Sequence, residues 1–205
     1  MIDKQILYYS GILIPVVYIL LYIGGGALRS GYNHIKNSVS ELLSPGAPNK
    51  LFLMIIQIVY ALLYVIFGFG VYWFYNESGN GFVIGKIGAW MIVALGITTF
   101  GTVIFPQDAE GTPQTMAGHL HKILVFGGLI PFSILSALFI GLWFRQAGLF
   151  PGFDIYSFIT VGAVIIMGGI GGITVGTRYT GLVERIAALV TQQWFFILGL
   201  TLLLQ

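Results

Sequence analysis

The residues of this chain that could do chemistry are few: three histidines, seven carboxylates and a handful of arginines, lysines and serines. Asp108, Glu41 and one of the pair His119/His121 have side chains able to exchange a proton and are the candidate catalytic acid–base residues. Arg29, Arg178 and Arg185 carry planar guanidinium forks that match a phosphate or carboxylate. Together with His34, Ser40, His119 and Glu184 they form the candidate ligand-binding set. Ser38, Ser40 and Ser44 offer nucleophilic hydroxyls, with a histidine as base and Asp108 as its orienter. No nucleophile-elbow pattern surrounds them. Ser40-Glu41-Leu42-Leu43 reads equally well as a helix start, and Ser44-Pro45-Gly46-Ala47-Pro48 reads as a turn. His119 and His121 are separated by about 200° on a helix, so only one of them can face a given centre. A metal site would have to combine that one with His34 and Asp108 from other loops. No metal and no cofactor is expected. Cysteine is absent, which removes thiolate catalysis, disulfides and iron–sulfur ligation.

These residues must be positioned by a chain of 205 residues that is 57% hydrophobic and 8% charged. A soluble domain carries about 25% charged residues, so there is too little charge here to cover a water-facing surface. The net charge of +2 and the lack of any Lys/Arg run exclude a nucleic-acid interface. Six apolar stretches are each long enough to cross about 30 Å of hydrocarbon as a helix. They cover residues 6–28, 51–75, 82–104, 118–144, 155–175 and 185–204. They are continuous rather than alternating, which argues against strands. The first exceeds the 7–15 residues of a signal-peptide core, so it is read as a retained span. The expected fold is an all-α membrane protein, one six-transmembrane-helix bundle over residues 1–205, multi-pass in the plasma membrane. Thr112-Pro113 predicts the cap and first position of the fourth helix. Gly168, Gly172 and Gly176 recur every four residues and predict a tightly packed face on the fifth.

Six spans alternate the loops between two sides. Side A, with both termini, holds Asp3, Lys4, Glu77, Lys86, Arg145 and Asp154. Side B holds all three histidines, six of the nine Lys/Arg and four of the seven Asp/Glu, among them Glu110. It also has the two long loops, residues 29–50 and 105–117. Ionisable groups at membrane depth are costly and usually paired. An ion-pair network among Arg29, Glu41, Asp108, Arg178, Glu184 and Arg185 is therefore expected. The six-to-three bias in Lys/Arg places side B in the cytoplasm by the positive-inside rule, although cations held in ion pairs fall outside that rule.

Ser40-Glu41-Leu42, Phe105-Pro106-Gln107-Asp108, Gly118-His119-Leu120-His121 and Gly181-Leu182-Val183-Glu184-Arg185, in that order against six spans, resemble a known pattern. It is that of the prokaryotic integral-membrane family called domain of unknown function 998. The resemblance covers nearly the whole chain. It aligns the family's glycine-x-x-histidine on Gly118 and His121, and so favours His121 over His119. It implies six membrane helices and no established activity. A more distant similarity, to Frag1/DRAM-type membrane proteins, points toward lipids. The expected function is a polar interfacial site on side B that binds, or binds and modifies, a lipid or other amphiphile, with membrane lipids as partners and no nucleic acid. The alternatives are a small transporter or channel, and a structural or partner-binding subunit.

Overall fold

The computed structural model describes residues 4–109 and 111–205; Asp3 and Glu110 lie outside the described residues. Seven α-helices are found there: α1 (Lys4–Ala27), α2 (Lys50–Ser78), α3 (Val83–Ile104), α4 (Met116–Leu124), α5 (Ile130–Ala147), α6 (Phe153–Thr174) and α7 (Thr180–Leu203). A π-helical turn, Val125–Leu129, joins α4 to α5. That makes Met116–Ala147 one continuous segment, so six segments are long and apolar enough to cross a membrane. The wide turn has a local cause. Pro131 has no N–H to give to the preceding turn, and its ring crowds the carbonyl four residues back. The bonding shifts over Gly127-Gly128, where no side chain resists it.

Consecutive spans are neighbours, and α7 returns to pack on α1, closing a ring of six. Successive spans run antiparallel, joined by short turns except at the two long side-B loops. Backbones come close where glycine permits: Gly68 of α2 rests on Val93 and the Ala89 carbonyl of α3, and Gly199 of α7 rests on the backbone of α1. The side-A half of the interior is filled by fully buried aromatics, Phe67, Trp143, Phe144, Trp194 and Phe195. Trp143 Nε1 donates to Asn80 Oδ1 (2.9 Å) and Trp194 Nε1 to Ser157 Oγ (3.0 Å), so neither indole is left unbonded in that dry core.

Two local expectations are corrected. The fourth span begins at Met116, not at Pro113, because Thr115 is its cap: Thr115 Oγ1 accepts from the Gly118 amide at 3.2 Å. The side chain that holds Thr115 there, Asp108, comes from seven residues earlier, so local pattern could not reveal it. The glycine face of α6 is not tightly packed either. A Cβ at Gly162, Gly169 or Gly172 would meet nothing within 4 Å, and one at Gly168 would reach only an Ile130 methyl at 4.0 Å. The buried residues of α6 are Phe153, Ser157, Thr160 and Val164, all in its first half. Toward side B the helix stands clear of the bundle.

Candidate functional site

Side B is capped by the segment between α1 and α2, which folds back over the helix ends. Its anchor is Arg185, 6% exposed, in the second turn of α7. One guanidinium nitrogen, Nη1, donates to the carbonyls of His34 (2.6 Å), Asn37 (3.0 Å) and Gly181 (2.7 Å). Nη2 donates to the Tyr32 hydroxyl, and the fork lies over the rings of Tyr22 and Tyr32. Two backbone bonds complete the seam, Gly181 N to Lys36 O (3.2 Å) and Leu182 N to Ile35 O (3.0 Å). Tyr32 passes the link on by donating to Ser38 O at 2.7 Å. Burial pushes the Tyr32 phenol up to about 12, so it remains a neutral donor. His34 stacks edge-on against Tyr22 and Tyr32. Desolvation, then the nearby Arg185 charge, lowers its pKa and keeps it uncharged at neutral pH.

Glu41 closes a capping box with Ser38. The Glu41 amide donates to Ser38 Oγ (3.2 Å), and Glu41 Oε1 accepts from the Ser38 amide (3.1 Å). Its other oxygen accepts from Asn37 Nδ2 at 2.8 Å. The box starts the 3₁₀ turn Ser40–Leu43. Arg29 donates to the Glu41 carbonyl (2.6 Å), and Glu184 accepts from the Val39 amide (3.0 Å). Four charged residues of the candidate set, Arg29, Glu41, Glu184 and Arg185, thus bond to backbone and neutral side chains of one segment. Ser40 lies in that 3₁₀ turn, half-buried. Arg178 is exposed, over the ring of Tyr179.

The expected ion-pair network is therefore corrected. Among the described residues the one ion pair is Lys4–Glu77 (3.0 Å), exposed at side A. The physical reason lies in the irregular cap. A loop at the membrane surface has many unpaired carbonyls and amides, and charged side chains satisfy them at close range.

The second long loop is held by Asp108. Its Oδ1 accepts from Thr115 Oγ1 (2.7 Å) and its Oδ2 from the Thr115 amide (2.9 Å), which sets the carboxylate at the start of α4. Gly118 leaves room for it; a Cβ there would overlap the carboxylate. The Thr115 hydroxyl and amide lower the Asp108 pKa, helped by the charge of Lys122 and by His121. A carboxylate with a lowered pKa gives its stabilisation above the unfolded value, and that is lost as pH falls through the folded value. The latch is therefore expected to hold across the neutral range and to release only below about pH 4. Hydrogen exchange at the Thr115 amide, followed from pH 7 to pH 3, checks this. Exchange that accelerates near pH 6 would contradict it.

His121 is 6% exposed, and its Nδ1 donates to the Phe105 carbonyl at 2.9 Å. Its other ring nitrogen, Nε2, has no hydrogen-bond partner. His119 is exposed beside Gln114. The two histidines thus diverge, as their spacing predicts, and neither is bonded to a serine. The described residues contain no cluster of three metal-ligating side chains.

Between these two loops lies a cleft of about 250 Å³. The start of α4 (Gly118, Lys122) forms one wall, and the α6–α7 turn (Val175, Gly176, Thr177) with Thr180 forms the other. Lys36, Glu41, Gln107, Asp108, Ala109, Thr112 and Gln114 complete it. Of the candidate residues, Asp108 and Glu41 line this cleft. Sequence reasoning missed Lys36 and Lys122, which look like ordinary surface lysines, and Thr115 and Tyr32, which hold the loops; Ser38, weighed as a nucleophile, holds the loop as a cap instead. The one legible signal was Ser38-x-x-Glu41, a capping-box spacing.

A ring of six apolar segments with its polar groups gathered at one end defines a polytopic membrane protein. The chain belongs to the family described as Protein of unknown function (DUF998), whose model matches residues 12–201. No curated protein and no solved structure matches it.

Proposed function

We propose that the side-B cleft binds the headgroup of a membrane amphiphile, with the apolar part passing out between α4 and α6, in the plasma membrane. The observation that carries this is the shape of the cleft: polar at the membrane surface, with α6 standing clear of the bundle beneath it. Ile123 and Phe126 on one flank and Ile170, Ile173 and Val175 on the other are exposed apolar side chains. Two lysines, Lys36 and Lys122, and two carboxylates, Glu41 and Asp108, are the charged residues that line the cleft among those described. That balance suits a zwitterionic headgroup, with a phosphate toward the lysines and an ammonium toward the carboxylates.

Binding is favoured over catalysis by the state of Asp108. A carboxylate held ionised by two donors is a good acceptor and a weak general base at neutral pH. Arg29 and Arg185 give their donors to the cap, so the lysines take the role of cations here. Lys122→Glu is expected to lower the amount of zwitterionic phospholipid retained through purification several-fold, read by native mass spectrometry and lipid extraction. Arg145→Glu, at side A, is the matched control. An unchanged lipid profile in Lys122→Glu and in Asp108→Asn would overturn the reading.

The mid-span hydroxyls of α3 and α5 favour binding over transport. Thr98 and Thr99 give their hydroxyls to the carbonyls of Ala94 and Leu95 (2.8 Å each), and Ser133 and Ser136 likewise bond to their own helix.

A further inference from the structure

A second polar feature lies inside the bundle, apart from the cleft. Tyr18 of α1, Tyr60 and Tyr64 of α2 and Gln192 of α7 meet near the middle of their helices. They are 6%, 7%, 2% and 3% exposed. Tyr60 and Tyr64 bond through their hydroxyls at 2.9 Å, and Gln192 Nε2 donates to both. Tyr18 packs on Tyr60 and on Tyr22, with ring centroids 5.9 and 5.3 Å apart, and Tyr22 in turn lies under Arg185 at 5.4 Å. A track of polar groups thus descends from the side-B cap to mid-membrane. Gln192 lies seven residues beyond Arg185, on the same face of α7 about two turns lower.

Three atoms along this track are buried and have no hydrogen-bond partner: Arg185 Nε, the Tyr18 hydroxyl and Gln192 Oε1. Turning the Gln192 amide over changes which of its ends is left, not that one is left. Buried polar groups without partners are costly, and costlier in hydrocarbon, where no alternative partner exists. Three such atoms among these contacting side chains, two of them on residues that otherwise bond well and one the sole polar atom of Tyr18, point to a shared ligand. The unused groups comprise a charged N–H, a hydroxyl able to give or accept, and an acceptor.

We infer that this track is a binding site for a neutral hydroxyl group, either ordered water or the hydroxyl of an amphiphile, entered from side B and closed toward side A. A hydroxyl both donates and accepts, so it matches an unused hydroxyl such as that of Tyr18 and an unused acceptor such as Gln192 Oε1, and a buried water normally makes about three such bonds. Cations are disfavoured by the charge of Arg185 at the upper end. Below Tyr64 the aromatic packing of Phe67 and Phe195, both 0% exposed, ends the track. It is therefore a blind site rather than a pore.

Tyr18→Phe removes one oxygen and keeps the ring packing. If the hydroxyl is bonded to a ligand, the unfolding midpoint of the full chain in lipid nanodiscs falls. If it has no partner, its removal relieves a buried polar group and the midpoint rises. An unchanged or raised midpoint overturns the inference. Hydroxyl-radical labelling then identifies the source. Labelling of Tyr18, Tyr60 and Tyr64 several-fold faster than Phe67 and Phe195, each normalised to the denatured chain, indicates water. Slow labelling that speeds up only after the protein is stripped of lipid indicates an amphiphile's hydroxyl. Slow labelling before and after stripping overturns the inference.

Discussion

Arg185→Gln is expected to be the most damaging single change on side B, because hydrogen bonds to a charged group are worth about 1.5–3 kcal/mol and Arg185 makes several of them. The guanidinium bonds three backbone carbonyls and the Tyr32 hydroxyl, and it lies over two aromatic rings. Its removal leaves the carbonyls of His34, Asn37 and Gly181 without this donor. It also frees the 28–49 segment from α7. Gln can replace one or two of the bonds. Lys keeps the charge, but its compact ammonium cannot span the same acceptors or stack on Tyr22, so Arg185→Lys should recover only part of the loss. The effect is a large share of a typical stability of about 5–15 kcal/mol. The yield of monodisperse protein should drop, and protease should cut within residues 28–49. Arg178→Gln is the control, because Arg178 is exposed and bonds only to its neighbour Tyr179, and it should stay within about 0.5 kcal/mol of wild type. Equal protease resistance in the two variants would remove Arg185 from its place as anchor of the cap.

Gly181→Ala is the second. A Cβ there would overlap the Asn37 carbonyl and lie 2.7 Å from Arg185 Nη1. The obstructing atoms are mostly backbone, which cannot swing aside as the tip of a side chain can. Overpacking of this kind costs about 1–3 kcal/mol, sometimes more. Here it also forces apart the two backbone bonds of the seam. Gly172→Ala makes the comparison sharp. It too replaces a helical glycine with alanine, but its Cβ meets nothing within 4 Å. Alanine is the better helix former by roughly 0.5–1 kcal/mol, so this variant should be slightly more stable. Opposite shifts of the thermal midpoint in one detergent are the expected result. A similar fall in both would mean that α6 is packed on something through its glycine face.

The six spans could be read from the sequence because apolar length is a local property. About twenty residues without charge can do little in a small protein except cross a membrane or fill a core, and six such stretches leave no core for them to fill. The inequality of the two ends was legible for the same reason, since alternation assigns every loop to a side. The family motifs mark the same places: Glu41, Asp108, Gly118 and Glu184-Arg185 all lie where the side-B loops are fastened.

What those residues bond to was not legible. Charge alone led to ion pairs, whereas the chain used its charges on loop carbonyls and amides, because an irregular segment exposes backbone groups that regular helices satisfy internally. The glycines of α6 suggested close packing, but a glycine records only that a neighbour may approach, not that one does. Tyr18, Tyr60, Tyr64 and Gln192 gave no signal, being spread over three helices and looking like ordinary residues of amphipathic or interfacial turns.

By itself, then, the sequence determined a membrane protein of six helices with its polar residues at one end, because hydrophobic length and loop parity need no knowledge of neighbours. Only the tertiary structure decided that Arg185 anchors a cap, that Asp108 and two lysines share a cleft, and that a buried polar track lies beneath Arg185. Each of these depends on groups brought together from distant parts of the chain, 145 residues apart in the case of Val39 and Glu184, by the closing of α7 onto α1.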